Sequence, residues 1–409
     1  MGTSQQNFRW IVGVSLASLL VLIASRRPLE GQNGSIDAPN GFDGQTNGAI
    51  SQQDFVQARL TFEERDDIQK GLGPVYNAQS CVECHQNPIT GGASQVSVLR
   101  AGHFDGTNFF DHPGGSLIQD RAIVAGLQEH VLAGNEVRAF RMSLSILGDG
   151  FIEAIDDRTI MDIARSQPAN MRGDVVQVPI LEAPGTTRVG RFGWKSQHAS
   201  LLSFSADAYL NEIGITNRLL LLENSSNGNS VAAADRVPDR GPSGEDVDND
   251  VDIFAQFMRA TKAPSRDDNL ARSADAQAGA TLFNAVGCNT CHVTDITTAP
   301  AGRVINGGTF TVPPALGNKT IHAYSDFLLH DVGTGDGIVQ NGGQSTRNKL
   351  RTPPLWGLRT RSRLMHDGFS VSPFDAITRH GGEAINVLRL FNTLRDDQKL
   401  ALIAFLNSL

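Results

Sequence analysis

The sequence predicts a mainly α-helical protein made of two similar units, and three observations support that expectation. A short Cys-x-x-Cys-His motif occurs twice, as Cys81-Val-Glu-Cys-His85 and Cys288-Asn-Thr-Cys-His292, and the two copies use all 4 cysteines of the 409-residue chain. An alanine-rich stretch leads into the second copy and begins after Ser273, which is a suitable helix N-cap. The end of the chain carries apolar residues on one helix face: Leu402, Phe405, Leu406 and Leu409.

The composition restricts the class of protein. Hydrophobic residues make up 40% of the chain, which is enough to build a core and excludes a wholly disordered chain. Charged residues are only 19% and glycine contributes 42 residues, which together indicate a compact protein with long, turn-rich connections. The net charge of −8 disfavours a nucleic-acid-binding protein, because such proteins carry a basic surface. At roughly 150 residues per domain, the length predicts two to three domains.

An uncharged apolar run spans residues 10–24 and follows Arg9. It is shorter than the roughly 20 residues of a membrane span and has the form of the hydrophobic region of a secretory signal. We therefore predict a signal peptide or an uncleaved membrane anchor over residues 1–27, with a buried helix as a third interpretation. The first two imply export, so the protein is expected in the periplasm, either free or attached to the membrane through this segment.

The two Cys-x-x-Cys-His motifs predict covalent attachment of two c-type haems. Two thiols one helical turn apart can each add to one vinyl group of the same porphyrin. The histidine that follows then lies under the ring and binds the iron from the proximal side. We therefore expect Cys81 and Cys84 to hold one haem and Cys288 and Cys291 to hold the other. The proximal ligands are the histidines that complete the motifs, His85 and His292.

Three other interpretations of the cysteine pairs were weighed: disulfides, a shared zinc site and a thioredoxin-like redox pair. None of them explains why a histidine follows both pairs. Paired Cys-x-x-Cys zinc motifs also lie roughly 15–20 residues apart, much closer together than these two copies.

Each haem motif is expected to lie in its own domain. A helix leading into a Cys-x-x-Cys-His motif and a closing C-terminal helix resemble the class I cytochrome c fold. The predicted fold class is therefore mainly α, with two class I cytochrome c-like haem domains that carry long loops and insertions. The predicted division is a polar lead segment at 28–60, an N-terminal haem domain at 61–255, a linker at 256–272 and a C-terminal haem domain at 273–409.

The acidic run Asp246-Val-Asp-Asn-Asp-Val-Asp252 suggests calcium binding at first sight. An EF-hand loop needs glycine at its sixth position and glutamate at its twelfth. Those positions hold Val251 and Phe257 here, so the motif fails and a solvated acidic turn is favoured.

Several further segments, taken together and in order, resemble the bacterial di-haem oxidoreductase family of peroxidase-like proteins. They are Gly71-Leu-Gly-Pro-Val-Tyr-Asn-Ala-Gln-Ser-Cys-Val-Glu-Cys-His85, Gly190-Arg-Phe-Gly-Trp-Lys-Ser-Gln197, Tyr324-Ser-Asp-Phe-Leu-Leu-His-Asp-Val-Gly333, Arg351-Thr-Pro-Pro-Leu-Trp-Gly-Leu358, Met365-His-Asp-Gly368 and Arg379-His-Gly-Gly-Glu-Ala384. That family is similar to di-haem cytochrome c peroxidases and to the di-haem enzyme that matures a tryptophan-derived quinone cofactor. The resemblance covers the chain from about residue 70 onward. Calcium is expected only because di-haem peroxidases often hold one ion between their domains.

The resemblance also implies candidates for the sixth ligand of the second haem. Met365-His-Asp-Gly368 is similar to the segment that supplies the axial methionine of the electron-accepting haem in di-haem peroxidases. A methionine ligand raises the reduction potential, as that role requires. Many members of the family carry leucine at the methionine position, which makes His366 the rival of Met365. His330 and His380 are expected to hold haem propionates or backbone rather than iron.

The first haem is expected to react with peroxide, so its distal position must be open or displaceable. Related peroxidases place a displaceable histidine at about the interval that separates His103 from His85. His103 is therefore the first candidate and His112 the second. The alternative for both is a surface-loop histidine.

Trp194 and Glu212 are the candidate catalytic residues. In the related peroxidases a tryptophan lies between the haems, and a glutamate some twenty residues later faces the peroxide site. Independently of that resemblance, peroxide cleavage needs a base that takes a proton from one oxygen and returns it to the other. A carboxylate in a poorly solvated pocket can do this. This chain lacks the proline of the related glutamate element, and Gln197 and His198 are the alternatives for the role.

The sequence is therefore interpreted as an exported di-haem c-type oxidoreductase with peroxidase-like activity. Hydrogen peroxide or a similar small oxidant would be reduced at the N-terminal haem, with electrons relayed from the C-terminal haem through Trp194. The expected donor is a small redox protein of the cytochrome c or cupredoxin type. Two alternatives stay open: a non-enzymatic di-haem electron carrier, and an enzyme that uses ferryl chemistry to mature a cofactor or oxidise a substrate.

Overall fold

Strands share the chain with helices in this computed structural model, which describes residues 1–2 and 36–409. About 33% of the described residues are helical and 16% are in strands or bridges, which form many small sheets. The prediction of a mainly α protein built from cytochrome c-like domains is therefore wrong. The helices around the second motif were recognisable in the sequence, but much of the chain before them forms antiparallel β-structure and irregular loops.

The ten α-helices of the described residues are short. They are α1 Gln52–Glu63, α2 Asp149–Glu153, α3 Asp157–Ser166, α4 Leu201–Ala208, α5 Asp250–Ala260, α6 Asp268–Ala271, α7 Ala274–Ala285, α8 Pro373–Thr378, α9 Ile385–Thr393 and α10 Asp396–Asn407. No helix in this part of the chain is long and apolar enough to cross a membrane. The signal or anchor predicted at 1–27 lies outside the described residues, apart from the first two.

The strands are shorter still, and most of them pair locally. They are β1 Ile36–Asp37, β2 Val75–Tyr76, β3 Ser97–Phe104, β4 Phe109–Asp111, β5 Leu117–Ile118, β6 Arg121–Ala122, β7 Val137–Met142, β8 Gln177–Pro179, β9 Thr187–Val189, β10 Ser225–Ser226, β11 Asn229–Ser230, β12 Ile296–Thr297, β13 Val304–Ile305, β14 Phe310–Thr311, β15 Lys319–Ile321, β16 Leu329–His330 and β17 Leu350–Arg351.

The largest sheet joins β3 to β4, β5 and β7, all antiparallel. Strand β3 pairs along most of its length with β7, from Ser97 opposite Met142 to Gly102 opposite Val137. The last residue of β7, Met142, leads directly into the segment that contacts the candidate site described below. The sheet therefore positions that segment.

The helices around the second motif follow the sequence prediction closely. The hydroxyl of Ser273 accepts a hydrogen bond from the Ala276 amide and begins α7. Helix α10 buries the predicted apolar face against α7, and Leu402 and Leu409 are fully buried. Gly279 lies where the two helices touch, because a methyl group there would overlap the Ala401 carbonyl oxygen. These two helices hold the second motif in place.

Residues 256–272, predicted to link the two haem domains, contain the end of α5 and all of α6. Phe257 and Met258 of this segment are buried in the larger hydrophobic core. That core also takes in Phe55 from α1 and Trp356 from the C-terminal part of the chain. The predicted domain division stays a prediction.

Two carboxylates of the acidic run at the start of α5 have different partners: one caps the helix, and the other forms an ion pair at the surface. Asp246 accepts hydrogen bonds from the Asp250 and Val251 amides at the first turn of α5. Asp252 forms an ion pair with Arg218 at 2.8 Å. Both carboxylates therefore have partners within the chain, as expected for a helix cap and a surface pair.

Candidate haem sites

The first motif forms a tight turn that presents its histidine. The turn covers Cys81–Glu83, and the His85 amide donates to the Cys81 carbonyl at 3.0 Å. The Nδ1 atom of His85 donates to the Gly92 carbonyl at 3.3 Å, and the Leu144 backbone also hydrogen-bonds with the ring. Burial lowers the pKa of His85, so the imidazole is neutral. A neutral imidazole with Nδ1 hydrogen-bonded to a carbonyl is the usual state of a metal-binding histidine.

The second motif repeats this arrangement. Gly287, with φ +92°, ends α7 and starts the turn Cys288–Thr290. The Nδ1 atom of His292 donates to the Tyr324 carbonyl at 3.0 Å. Burial and the neighbouring His380 lower the pKa of His292 to about 4. Tyr324 itself has φ +53°, a strained left-handed conformation that aims its carbonyl at the imidazole.

The cysteines of both motifs are free thiols, so the structure forms neither of the disulfides weighed in the sequence analysis. Burial raises the pKa of all four thiols: Cys81, Cys84, Cys288 and Cys291. Within the described residues, the one cluster of potential metal ligands joins Cys291 to Asp326 and His330 and does not join the two cysteine pairs. The shared zinc interpretation therefore has no geometric support in this part of the chain.

A cavity of about 600 Å³ adjoins the second motif and is lined by Cys288, Cys291 and His292. Its size is that of cavities that enclose cofactors, and most of its other lining residues are apolar. They include Leu355, Leu358, Ile377, Val387, Leu388, Phe391 and Leu402. The thiols, the free imidazole nitrogen and the apolar walls fit a haem attached at this motif.

Both sequence candidates for the sixth ligand line this cavity. Met365 has φ +65°, unusual for a residue with a side chain, and His366 is buried. The His366 ring meets the Trp194 ring edge-on at 6.1 Å between centroids, and its Nδ1 has no hydrogen-bond partner. The structure thus brings Met365 and His366 to the cavity without distinguishing which of them would reach an iron atom.

His330 is held by carboxylates on both sides. Its Nε2 lies 2.8 Å from Asp326 and its Nδ1 lies 2.7 Å from Glu383. Burial lowers its pKa, but these hydrogen bonds outweigh burial and raise the pKa to about 12. His330 is therefore a buried imidazolium beside Cys291, with neither nitrogen available to a metal.

Trp194 connects this cavity to the neighbourhood of the first motif. Its indole lines the cavity, and its Nε1 donates to the Met142 carbonyl at 2.8 Å. The residues that follow Met142 include Leu144, which also lines the cavity and whose backbone hydrogen-bonds with His85. Trp194 therefore lines the cavity of the second motif and is hydrogen-bonded to the segment that contacts His85.

Glu212 lies at the first motif. It sits in the π-helical turn Tyr209–Ile213, a rare feature that often marks functional sites. Its Oε2 accepts a hydrogen bond from the Asn77 side chain at 2.8 Å, and its main-chain carbonyl accepts from the Asn77 amide. Burial raises the pKa of Glu212. The charge of Glu212 in turn raises the pKa of Cys84, second to burial.

Asn77 had no role in the sequence analysis, although it belongs to the segment quoted for the family resemblance. Its contact with Glu212 joins residues far apart in the chain, so only the fold shows it. His198, the sequence alternative to Glu212, is paired with Asp207 at 3.2 Å.

The two histidines suggested as distal ligands of the first haem lie elsewhere. His103 is an exposed residue of β3, and its Nδ1 is 2.9 Å from Glu136. His112 is buried, and its Nε2 accepts a hydrogen bond from the Leu132 amide. Neither lines the cavity of the second motif. The distal role of His103 stays a prediction that this placement does not support.

Two arginines in the cavity wall, the buried Arg351 and the half-buried Arg361, were not predicted from the sequence. Arg351 donates to the Gly193 carbonyl at 2.7 Å, and Arg361 donates to the Pro354 carbonyl at 2.9 Å. Burial lowers the pKa of each guanidinium to about 10, and the charge of Asp149 partly offsets this at Arg351. Neither forms an ion pair with any described residue. Buried cations need counter-charges, and a haem brings two carboxylates.

Two Cys-x-x-Cys-His turns, each with its imidazole oriented through Nδ1 by a backbone carbonyl and one of them beside a cofactor-sized cavity, define a haem-binding protein. Residues 89–409 match the family model described as "Di-haem oxidoreductase, putative peroxidase". The chain belongs to this family, and it is therefore an oxidoreductase with haem cofactors. The matched range begins just after the first motif.

Solved structures give two further comparisons. One is hydrazine synthase from Kuenenia stuttgartiensis under xenon pressure, with 13% identity, 99% of this chain and 100% of that chain covered, and a TM-score of 0.40. The other is a MauG-like protein associated with microbial copper homeostasis, with 15% identity, 92% and 93% covered, and a TM-score of 0.41. A comparison with curated proteins found no match.

Proposed function

We propose that this chain is an exported di-haem c-type oxidoreductase with peroxidase-like activity. The observation that supports this most directly is the pair of equivalent motif turns, each with a histidine whose Nδ1 is hydrogen-bonded to a backbone carbonyl. In this proposal the free thiols of Cys81, Cys84, Cys288 and Cys291 form the thioether bonds.

The reaction is proposed to take place at the first motif. When bound, the haem there supplies the iron chemistry that reduces peroxide to two water molecules with two electrons and two protons. Glu212 adjoins this motif and is half-buried, and desolvation raises the pKa of its carboxyl group. Its Oε atoms can take a proton from one peroxide oxygen and deliver it to the departing oxygen. Asn77 holds the carboxylate in place for that transfer.

Trp194 is proposed to link the two haem sites electronically. Its indole forms part of the cavity wall at the second motif, and its hydrogen bond to Met142 fixes it against the segment that contacts His85. An aromatic ring in that position shortens the gaps that an electron must cross. The electrons are proposed to come from a small periplasmic redox protein that docks at the C-terminal haem.

The first test is to purify the exported protein and measure its mass, its haem content and its spectrum. Two thioether-bound haems, with a high-spin or cyanide-binding signal at one of them, support the proposal. Free thiols would refute covalent attachment. Two permanently low-spin haems that do not turn over peroxide would leave only a non-enzymatic electron carrier.

A further inference from the structure

His380 faces His292 across the cavity of the second motif. Their ring centroids are 6.5 Å apart and their ring planes are inclined at 59°. His380 follows helix α8, and α8 residues Ala376 and Ile377 line the same cavity. The sequence predicts that His380 holds a haem propionate or the backbone, but this separation indicates a different role.

The imidazoles of His292 and His380 are held by the same kind of hydrogen bond. His292 donates from Nδ1 to the Tyr324 carbonyl at 3.0 Å, and His380 donates from Nδ1 to the Ala376 carbonyl at 2.7 Å. Each ring is therefore oriented through Nδ1 by a backbone carbonyl.

The separation matches two ligands on opposite faces of one metal ion. Metal–nitrogen bonds to histidine are roughly 2 Å long, so the ring centroids of two trans imidazoles lie roughly 6 Å apart. The observed 6.5 Å is close to that distance.

The other histidines after the second motif lack one of these properties. His330 has a carboxylate on each nitrogen. His322 is partly exposed and paired with Asp295. His366 lies edge-on against Trp194 and has no hydrogen bond to orient its ring. Met365 lines the cavity with its backbone at φ +65°.

We propose that His380 is the second axial ligand of the C-terminal haem, opposite His292. This rests on the proposed attachment of a haem at the second motif. Two imidazole ligands give a six-coordinate, low-spin iron at a lower reduction potential than a histidine–methionine pair. The C-terminal haem is then closed to peroxide and serves electron transfer, which leaves the N-terminal haem as the reactive one.

The test compares His380→Ala with Met365→Leu in the full-length holoprotein. His380→Ala should convert the low-spin signal of one haem to high-spin, and added free imidazole should restore it. Met365→Leu should keep the low-spin spectrum, and the unmodified protein should lack a sulfur-to-iron charge-transfer band. His380→Met should raise the midpoint potential of the same haem, because it substitutes a thioether for an imidazole.

The opposite results would overturn the assignment. They are a sulfur-to-iron band that disappears in Met365→Leu, or a spectrum that His380→Ala leaves unchanged. His366→Gln is the matched control for the remaining histidine of the cavity, and loss of the low-spin signal in that variant alone would transfer the role to His366. Haem content measured on the same samples separates these outcomes from failure of haem attachment, which would refute the proposed function itself.

Discussion

The indole nitrogen of Trp194 donates a 2.8 Å hydrogen bond to the carbonyl oxygen of Met142. The amide of Met142 in turn donates to the carbonyl of His366, whose ring meets the indole edge-on. Trp194, Met142 and His366 therefore form one contact group between the second-motif cavity and the segment beside His85. The hydrogen bond therefore fixes the orientation of the Trp194 indole, in addition to the packing around the ring.

Trp194→Phe is expected to keep an aromatic ring and lose that hydrogen bond. The free energy of unfolding should fall by about 1 kcal/mol, since one buried carbonyl loses its partner. Electron transfer between the haems should slow, because the ring is smaller and no longer oriented. Stopped-flow reduction of the N-terminal haem measures this rate. An unchanged rate would exclude a relay role for Trp194.

Glu212→Gln should lower peroxide turnover by about 10²–10⁴-fold, because the amide cannot carry a proton. The pKa of Glu212 is raised by burial, so in the unmodified protein the base becomes active only as the pH rises above the usual range of a glutamate. The expected profile of kcat/KM therefore rises with pH through that raised pKa. The glutamine variant should lose this rise and keep its haem spectrum. A rise that survives in the variant would assign the proton transfer to another group.

Asp336→Asn should destabilise the protein strongly. Its carboxylate is fully buried between Lys195, at 2.9 Å, and Arg141, at 2.6 Å. Removing one charge leaves two buried cations without compensation, which costs about 3–5 kcal/mol. Urea unfolding monitors this loss. Asp397→Asn, which removes the partner of Arg395 in an exposed pair, is the matched control and should leave the unfolding midpoint unchanged.

Asp66→Asn should stabilise the protein at high pH and leave it unchanged at low pH. Asp66 is buried, and burial raises its pKa to about 7, with Lys70 opposing and Asp250 adding to the effect. Because the folded pKa exceeds the unfolded value of 3.8, the native chain loses stability as the pH rises from about 4 through 7. The gain above pH 7 should be on the order of 3–4 kcal/mol. Equal urea midpoints for both proteins at pH 5 and pH 8 would contradict this.

Arg361→Gln should lower the midpoint potential of the C-terminal haem. The guanidinium lies in the cavity wall without an ion-pair partner in the described chain, and its loss favours the more positive ferric state. Arg395→Gln, at an exposed site, is the control and should leave the potential unchanged. Equal potentials in the two variants would show that Arg361 does not act on the haem.

The parts of this fold that sequence could predict are those set by local interactions. Ser273 begins a helix because its hydroxyl caps the first turn, and Leu402 lies inside because helical spacing puts it on the apolar face. The motif turns follow from short-range geometry in the same way. These features depend on residues within a few positions of each other.

The fold class could not be predicted, because it depends on pairing between distant segments. Strand β3 pairs with β7, and nothing near His103 shows that it occupies a strand facing solvent. The Glu212–Asn77 contact and the His380–His292 separation are also long-range. The motifs in the sequence predict which residues bind a cofactor or move protons. Which of these residues lie close to each other is known only from the folded structure.

The left-handed backbone of Tyr324 has a consequence for the two motif histidines. The Tyr324 carbonyl accepts from His292 at 3.0 Å, whereas Gly92 accepts from His85 at 3.3 Å. Two motifs of identical sequence pattern therefore hold their imidazoles through carbonyl acceptors of different backbone geometry.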